Sequence, residues 1–217
     1  MSWSRTVVPL AGALALAACH SRPNRAPIVQ PGAPGEPTRV LDARQAADLA
    51  KVEATGADVR FMQGMIGHHA QALEMTALLR SRSASDDMKK LAQRIDVSQA
   101  DEIKMMQEWL TRHGAALPDP HAHHAHGAAL MPGMLTAEEM AQLAGAKGPA
   151  FDRLFLQFMI KHHEGALAMV KDLFGTAGAG QESDIFAFAS DVDADQRMEI
   201  DRMRAMLALP VPSKEPQ

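Results

Sequence analysis

One cysteine, Cys19, occurs in 217 residues. A lone thiol can form neither an intrachain disulfide nor a thiolate-rich zinc centre. No run of Lys or Arg accompanies the formal charge of −4, which argues against a nucleic-acid partner. The apolar stretch at residues 7–18 is shorter than the ~20 residues a membrane-spanning helix needs. No convincing alternation of apolar and polar residues marks a strand, so the expected fold class is all-α.

The N-terminus is an export signal rather than part of the fold. Arg5 supplies a weak positive region, residues 7–18 an apolar core, and small residues lead into Cys19. Leu16-Ala17-Ala18-Cys19 resembles a bacterial lipobox, which implies a signal peptide over 1–18, cleavage before Cys19 and lipid on its sulfur. An ordinary buried thiol is the alternative reading. Removing Arg5 with the leader takes the formal charge to −5. Residues 19–40 are rich in Pro and Gly and read as a flexible tether between lipid and domain. A membrane contact through lipid alone follows, with periplasmic exposure. His20 after the cysteine favours the outer membrane in a two-membrane cell.

What the chain does carry is a repeat. MIGHHAQALEM at residues 65–75 returns 94 positions later as MIKHHEGALAM at 159–169. Asp58, Phe61 and Gln63 match Asp152, Phe155 and Gln157 at the same offset. Further on, Gln99, Glu102, Ile103 and Met106 match Gln196, Glu199, Ile200 and Met203 at an offset of 97. Each half is thus a Met/His helix, a short connection and a return helix. Residues 41–210 form the expected domain, with repeat 1 at about 57–113, a His-rich loop at 114–134 and repeat 2 at about 149–208.

Caps and breakers place the helices. A first one covers 42–52; Gly56 and Asp58 open the next, which ends near Arg80. Ser85-Asp86-Asp87 starts a third that reaches Gly114. Thr136-Ala137-Glu138-Glu139 matches a capping box for a short helix stopping before Gly148-Pro149. The second Met/His helix runs over about 149–174 and the last over 182–208, stopping at Pro210. Two helical hairpins in an antiparallel bundle are the expected architecture.

At about 100° per residue, His68 and His69 fall inside the apolar arc of their helix, with Gln63, Gly67, Gln71 and Glu74 opposite. His162 and His163 repeat that placement, with Gln157, Lys161 and Ala168 outward. Imidazoles facing a bundle interior need partners, since an unpaired buried polar group costs about 1–3 kcal/mol. Ligation of a metal or hydrogen bonds to carboxylates would supply them. Met65 and Met159 each precede a histidine by one turn, a rise of about 6 Å that lets one ion touch both side chains. Met75 lies seven residues beyond His68, about 10.5 Å along the axis, too far to share an ion unaided; for Met75 and Met169, core filling and ligation are equal alternatives. Thioether with imidazole selects Cu(I), with Cu(II) favoured as imidazoles accumulate and silver as a surrogate. In the connecting loop, His121, His123, His124, His126, Met131 and Met134 form an auxiliary cluster able to collect Cu(II), Zn(II) or Ni(II), or else a solubilising linker.

The paired HH-x5-M segments, Phe151-Asp152-Arg153-Leu154-Phe155, and the Gln-x2-Glu-Ile-x2-Met pattern of both return helices resemble the CopM-type family over residues 58–207. That resemblance implies a ferritin-like four-helix domain in an exported copper-binding protein. It implicates Met65, His68, His69 and Met75 in one half, and Met159, His162, His163 and Met169 in the other. Lys161 stands where many relatives have proline. Copper buffering, transfer or resistance is the implied function, without catalysis. A di-metal oxidase is an alternative, but Glu102 and Glu199 lead to Met105 and Arg202, so the Glu-x-x-His signature is missing. A metal-free interaction module, its His pairs bonded to Glu102 and Glu199, is the other.

Overall fold

In the computed structural model, which describes residues 27–30, 38–47, 52–121 and 130–208, side-chain caps open several of the helices. Strands β1 (Ile28–Gln30) and β2 (Arg39–Leu41) precede α1 (Ala43–Ala47). Four long helices follow: α2 (Gly56–Arg82), α3 (Asp86–Arg112), α5 (Gly148–Gly175) and α6 (Ser183–Ala208), with the short α4 (Ala137–Gly145) ahead of α5. Thr55 caps α2 by accepting from the N–H groups of Ala57 and Asp58, while Asp58 accepts from the N–H of Thr55. Ser85 accepts from the N–H of Met88 at the start of α3. That helix ends as expected at Gly114, whose φ of +64° lets Ala115 donate back to the Leu110 carbonyl at 2.9 Å and Gly114 to the Thr111 carbonyl at 3.1 Å. The Thr136/Glu139 capping box opens α4, and Pro149 sits in the first turn of α5.

The described residues are predominantly helical, in line with the all-α expectation, with one exception. Ile28–Gln30 pairs antiparallel with Arg39–Leu41, in the register Ile28↔Leu41, Val29↔Val40. The expectation of no strand anywhere is therefore corrected at these residues, where β-branched and aliphatic side chains suit a pleated pair. The first helix, expected over 42–52, starts at Ala43, where Asp42 caps it through the N–H groups of Arg44 and Gln45, and does not include Val52; residues 48–51 lie outside the described set. The signal segment and Cys19 lie outside it too. Among the described residues no helix is long and apolar enough to cross a membrane.

Helix α2 pairs with α3 through a three-residue link and α5 with α6, and the two hairpins meet along α2 and α5. His68 meets His162, whereas Gly64 lies against Met169, so α2 and α5 run antiparallel. Asp58 ties the hairpins together at one end by accepting from the Gly180 N–H at 2.7 Å. Two apolar clusters fill the interior, and all four long helices contribute to the second as to the first. One is built around Met65, Trp109, Val170 and Phe188, the other around Met75, Ile95, Phe155 and Met203. Burying these side chains stabilises the fold at about 1.5–3 kcal/mol each.

Gly67 and Gln71, expected on an outward face, are buried. The connection after repeat 1 lies over them. Gln71 accepts from the Leu135 N–H at 2.7 Å and donates to its carbonyl at 2.9 Å. Gly133, at φ +75°, and Gly165 bring two backbones into direct contact: a Cβ on Gly165 would sit 1.9 Å from the Pro132 oxygen.

Candidate metal centre

The four histidines of the repeats share one buried layer where α2 crosses α5. His68 and His162 meet across the interface with ring centroids 3.8 Å apart and planes tilted by 38°, and each lies 6.3 Å from its sequence neighbour, His69 or His163. None is more than 1% exposed. The helical repeat explains the symmetry: adjacent histidines are offset by about 100°, so one reaches the partner helix of the other hairpin and one the return helix of its own.

Each return helix supplies a carboxylate. His69 Nε2 bonds Glu102, and His163 Nε2 bonds Glu199 Oε2 at 2.6 Å. Ser98 donates to the other oxygen of Glu102 at 3.1 Å. An ionised carboxylate only accepts, so in the neutral imidazoles Nε2 carries the proton and Nδ1 keeps a lone pair. Both Nδ1 atoms are buried and meet no hydrogen-bond partner among the described residues. Neither ring nitrogen of His162 meets one either. Burial holds the pKa of His162 well below its usual 6.5, with the neighbouring imidazoles of His68, His163 and His69 acting in the same direction, so this ring is neutral. The remaining ring, His68, donates from Nε2 to the Pro132 carbonyl at 3.0 Å.

Gln99 and Gln196, one turn before the two glutamates, are buried, and their Oε1 atoms meet no partner among the described residues. Glu102 and Glu199 are the partners expected for the His pairs in the metal-free alternative, whereas Gln99 and Gln196 were matched only as part of the repeat, and none of the four is among the expected metal ligands. Their signal was the duplicated Gln-x2-Glu spacing itself.

The methionines divide between the two apolar clusters. Met65 packs in the cluster that Met169 borders, and Met75 in the cluster of Met159. Antiparallel packing thus gives Met75, too distant from His68 on its own helix, a neighbour from the other repeat. Met65, Met75 and Met159 are sealed from solvent, and Met169 is half-buried. From the connecting loop, Met134 is buried at 3% exposure and Met131 half-buried, its sulfur 3.0 Å from where a Cβ on Gly64 would lie. His121 bonds Glu74 at the surface, 3.0 Å apart, while His123, His124 and His126 fall outside the described residues. Lys161 pairs with Glu139 of α4 at 2.6 Å.

Among the described residues no three His, Cys, Asp or Glu side chains converge on a point able to hold a metal ion. The thioethers of the two apolar clusters and the imidazoles of the layer are donor types matched to soft ions.

No curated protein matches the chain. Solved structures do. A DUF305 fragment from Deinococcus radiodurans is 33% identical, covers 71% of this chain and 97% of its own, and superposes with a TM-score of 0.61. A DUF305 protein from Streptomyces coelicolor, named as a secreted protein, is 32% identical over 70% of this chain and 92% of its own, with a TM-score of 0.59. CopM in its Cu(II)-bound form is 26% identical over 69% of this chain and 95% of its own, with a TM-score of 0.58; Cu(I)-bound and Ag-bound forms of CopM match similarly. Residues 58–207 fit the model of a domain of unknown function, DUF305. The chain is a member of the DUF305 family, and its resemblance to the CopM type, read from the doubled histidine motif, holds.

Proposed function

We propose that this protein is an exported, lipid-anchored copper binder with a ferritin-like four-helix bundle, holding Cu(I) in preference to Cu(II) for buffering, transfer or resistance. Its ligands are His68, His69, His162 and His163 with thioethers from Met65 and Met159, and Met75 and Met169 flank them from the opposite repeats. It acts without catalysis and hands copper to exchange partners.

One observation carries the reading. His69 and His163 each bond a carboxylate through Nε2, and each keeps a buried Nδ1 that meets no hydrogen-bond partner among the described residues. A buried acceptor of this kind is satisfied by a cation, and carboxylate–histidine–metal arrangements are the usual form of such sites. The copper- and silver-bound forms of CopM support the choice of metal. The same carboxylate bonds favour a second reading, a metal-free interaction module with a polar core.

Anaerobic Cu(I) titration of the mature protein against a chelator separates the two. His69→Ala with His163→Ala should abolish tight binding while far-UV circular dichroism stays helical. Full Cu(I) affinity in that variant would transfer the case to the interaction module. Fatty-acid labelling of cells carrying Cys19→Ala should show no lipid on the variant; equal label would sink the anchor.

A further inference from the structure

The two repeats are not equally accessible, and the difference lies where the connecting loop crosses them. At one end of the histidine layer, Leu135 and Leu143 close over Met75 and Phe151, leaving Met75 sealed. At the other end its counterpart Met169 is half-buried. There the loop contributes a second half-buried thioether. Met131 Sδ and Met169 Cε come within 3.0 Å and 3.4 Å of one point, the Cβ position of Gly64. Gly64 has no side chain to occupy that point, so two methionine termini from distant parts of the sequence converge on bare helix backbone. His68 lies one turn along α2 from Gly64, a rise of about 6 Å. The loop is held in register: Pro132, next to Met131, accepts from His68, and Gln71 grips Leu135 through both backbone groups.

We propose that Met131 and Met169 form a second, all-thioether site for Cu(I) or Ag(I), through which ions enter the bundle. This rests on reading the histidine layer as a soft-metal centre. Thioethers bind these ions without releasing a proton and discriminate against harder cations. The pair is reachable from solvent while the histidines are not. An ion held there stands about one helical turn from the buried layer, and Gly64 leaves room for the Met131 sulfur and the Met169 methyl to approach each other.

The test uses the full mature chain with 13C-labelled methionine methyl groups, titrated with sub-stoichiometric Ag(I). Methyl resonances are assigned by Met131→Leu and Met169→Leu. Met105 and Met198, both exposed, report adventitious thioether binding. The expected result is that the Met131 and Met169 methyls shift together at the first additions, before Met105 or Met198 moves. Gly64→Ala, which places a methyl 3.0 Å from the Met131 sulfur and forces it aside, should weaken that step at least ~10-fold, as disturbing a metal's surroundings commonly does. Shifts confined to Met65 and Met159, with Met131 still, would overturn the entry site and leave the histidine centre standing. No shift at Met131, Met169, Met65 or Met159 would overturn both, and simultaneous movement of Met105 and Met198 would reduce the pair to ordinary surface thioethers.

Discussion

Replacing Glu199 by Gln isolates the role of the carboxylate from that of the histidine it holds. The His163 Nε2 to Glu199 Oε2 bond is 2.6 Å long and nearly excluded from water, with the glutamate side chain 11% exposed. The amide oxygen of Gln can still accept from Nε2, so the ring keeps its orientation and proton position while the charge is lost. A charge-assisted bond contributes about 1.5–3 kcal/mol and a neutral one about 1, so the metal-free protein should lose ~1 kcal/mol or less, part being offset because no carboxylate is desolvated. Metal affinity should fall further. Outer partners of metal-binding histidines are worth about 10–100-fold, or ~1.4–2.8 kcal/mol. The repeat adds a stricter demand, since Glu102 faces His69 as Glu199 faces His163, and Glu102→Gln should cost a similar factor. Cu(I) competition against a chelator gives the affinities and urea denaturation the stabilities. Glu108→Gln, on the exposed face of α3, controls for net charge. Unchanged Cu(I) affinity in both dyad variants, or an equal loss in Glu108→Gln, would refute the assignment of Nδ1 as donor.

Three further outcomes follow from the same geometry. His162 is held neutral by burial while the unfolded chain titrates near 6.5, so below that value the unfolded state binds more protons and stability present at neutral pH is lost on acidification. At about pH 5.5 the loss is ~1.4 kcal/mol, lowering Tm of the metal-free protein by about 3–6 °C, and His162→Leu should flatten this slope in calorimetric scans. Gly165→Ala drives a methyl to 1.9 Å from the Pro132 oxygen and must lift the loop from α5, costing about 1–3 kcal/mol or more in urea; a variant as stable as the parent would show that the crossing is slack. Met65→Leu with Met159→Leu keeps volume and removes only sulfur, so circular dichroism and Tm should stay near the parent while Cu(I) affinity falls and Zn(II) affinity holds; parallel losses for both metals would point to packing instead.

The sequence by itself determined what local chemistry and periodicity control. Ser85, Thr136 and Gly114 set helix ends because caps act within a few residues of the backbone groups they satisfy. The doubled HH motif placed four imidazoles on apolar arcs because a helix fixes angular position from spacing alone. The duplication also told that both halves would do so alike. Other features depended on which chains meet in space. That Glu102 and Glu199, acids on mostly solvated helices, turn toward His69 and His163 depends on how each hairpin closes. That Met75 shares a cluster with Met159 follows from antiparallel docking of α2 on α5, and no spacing within one helix encodes it. Gly67 and Gln71 fell on the polar side of the wheel, yet the returning loop covers them, because the amide of Gln71 meets both backbone groups of Leu135. The short ladder near Leu41 escaped notice for a related reason: three residues carry too little period to read, and the pairing exists only when Val29 finds Val40 across an intervening stretch of Pro and Gly.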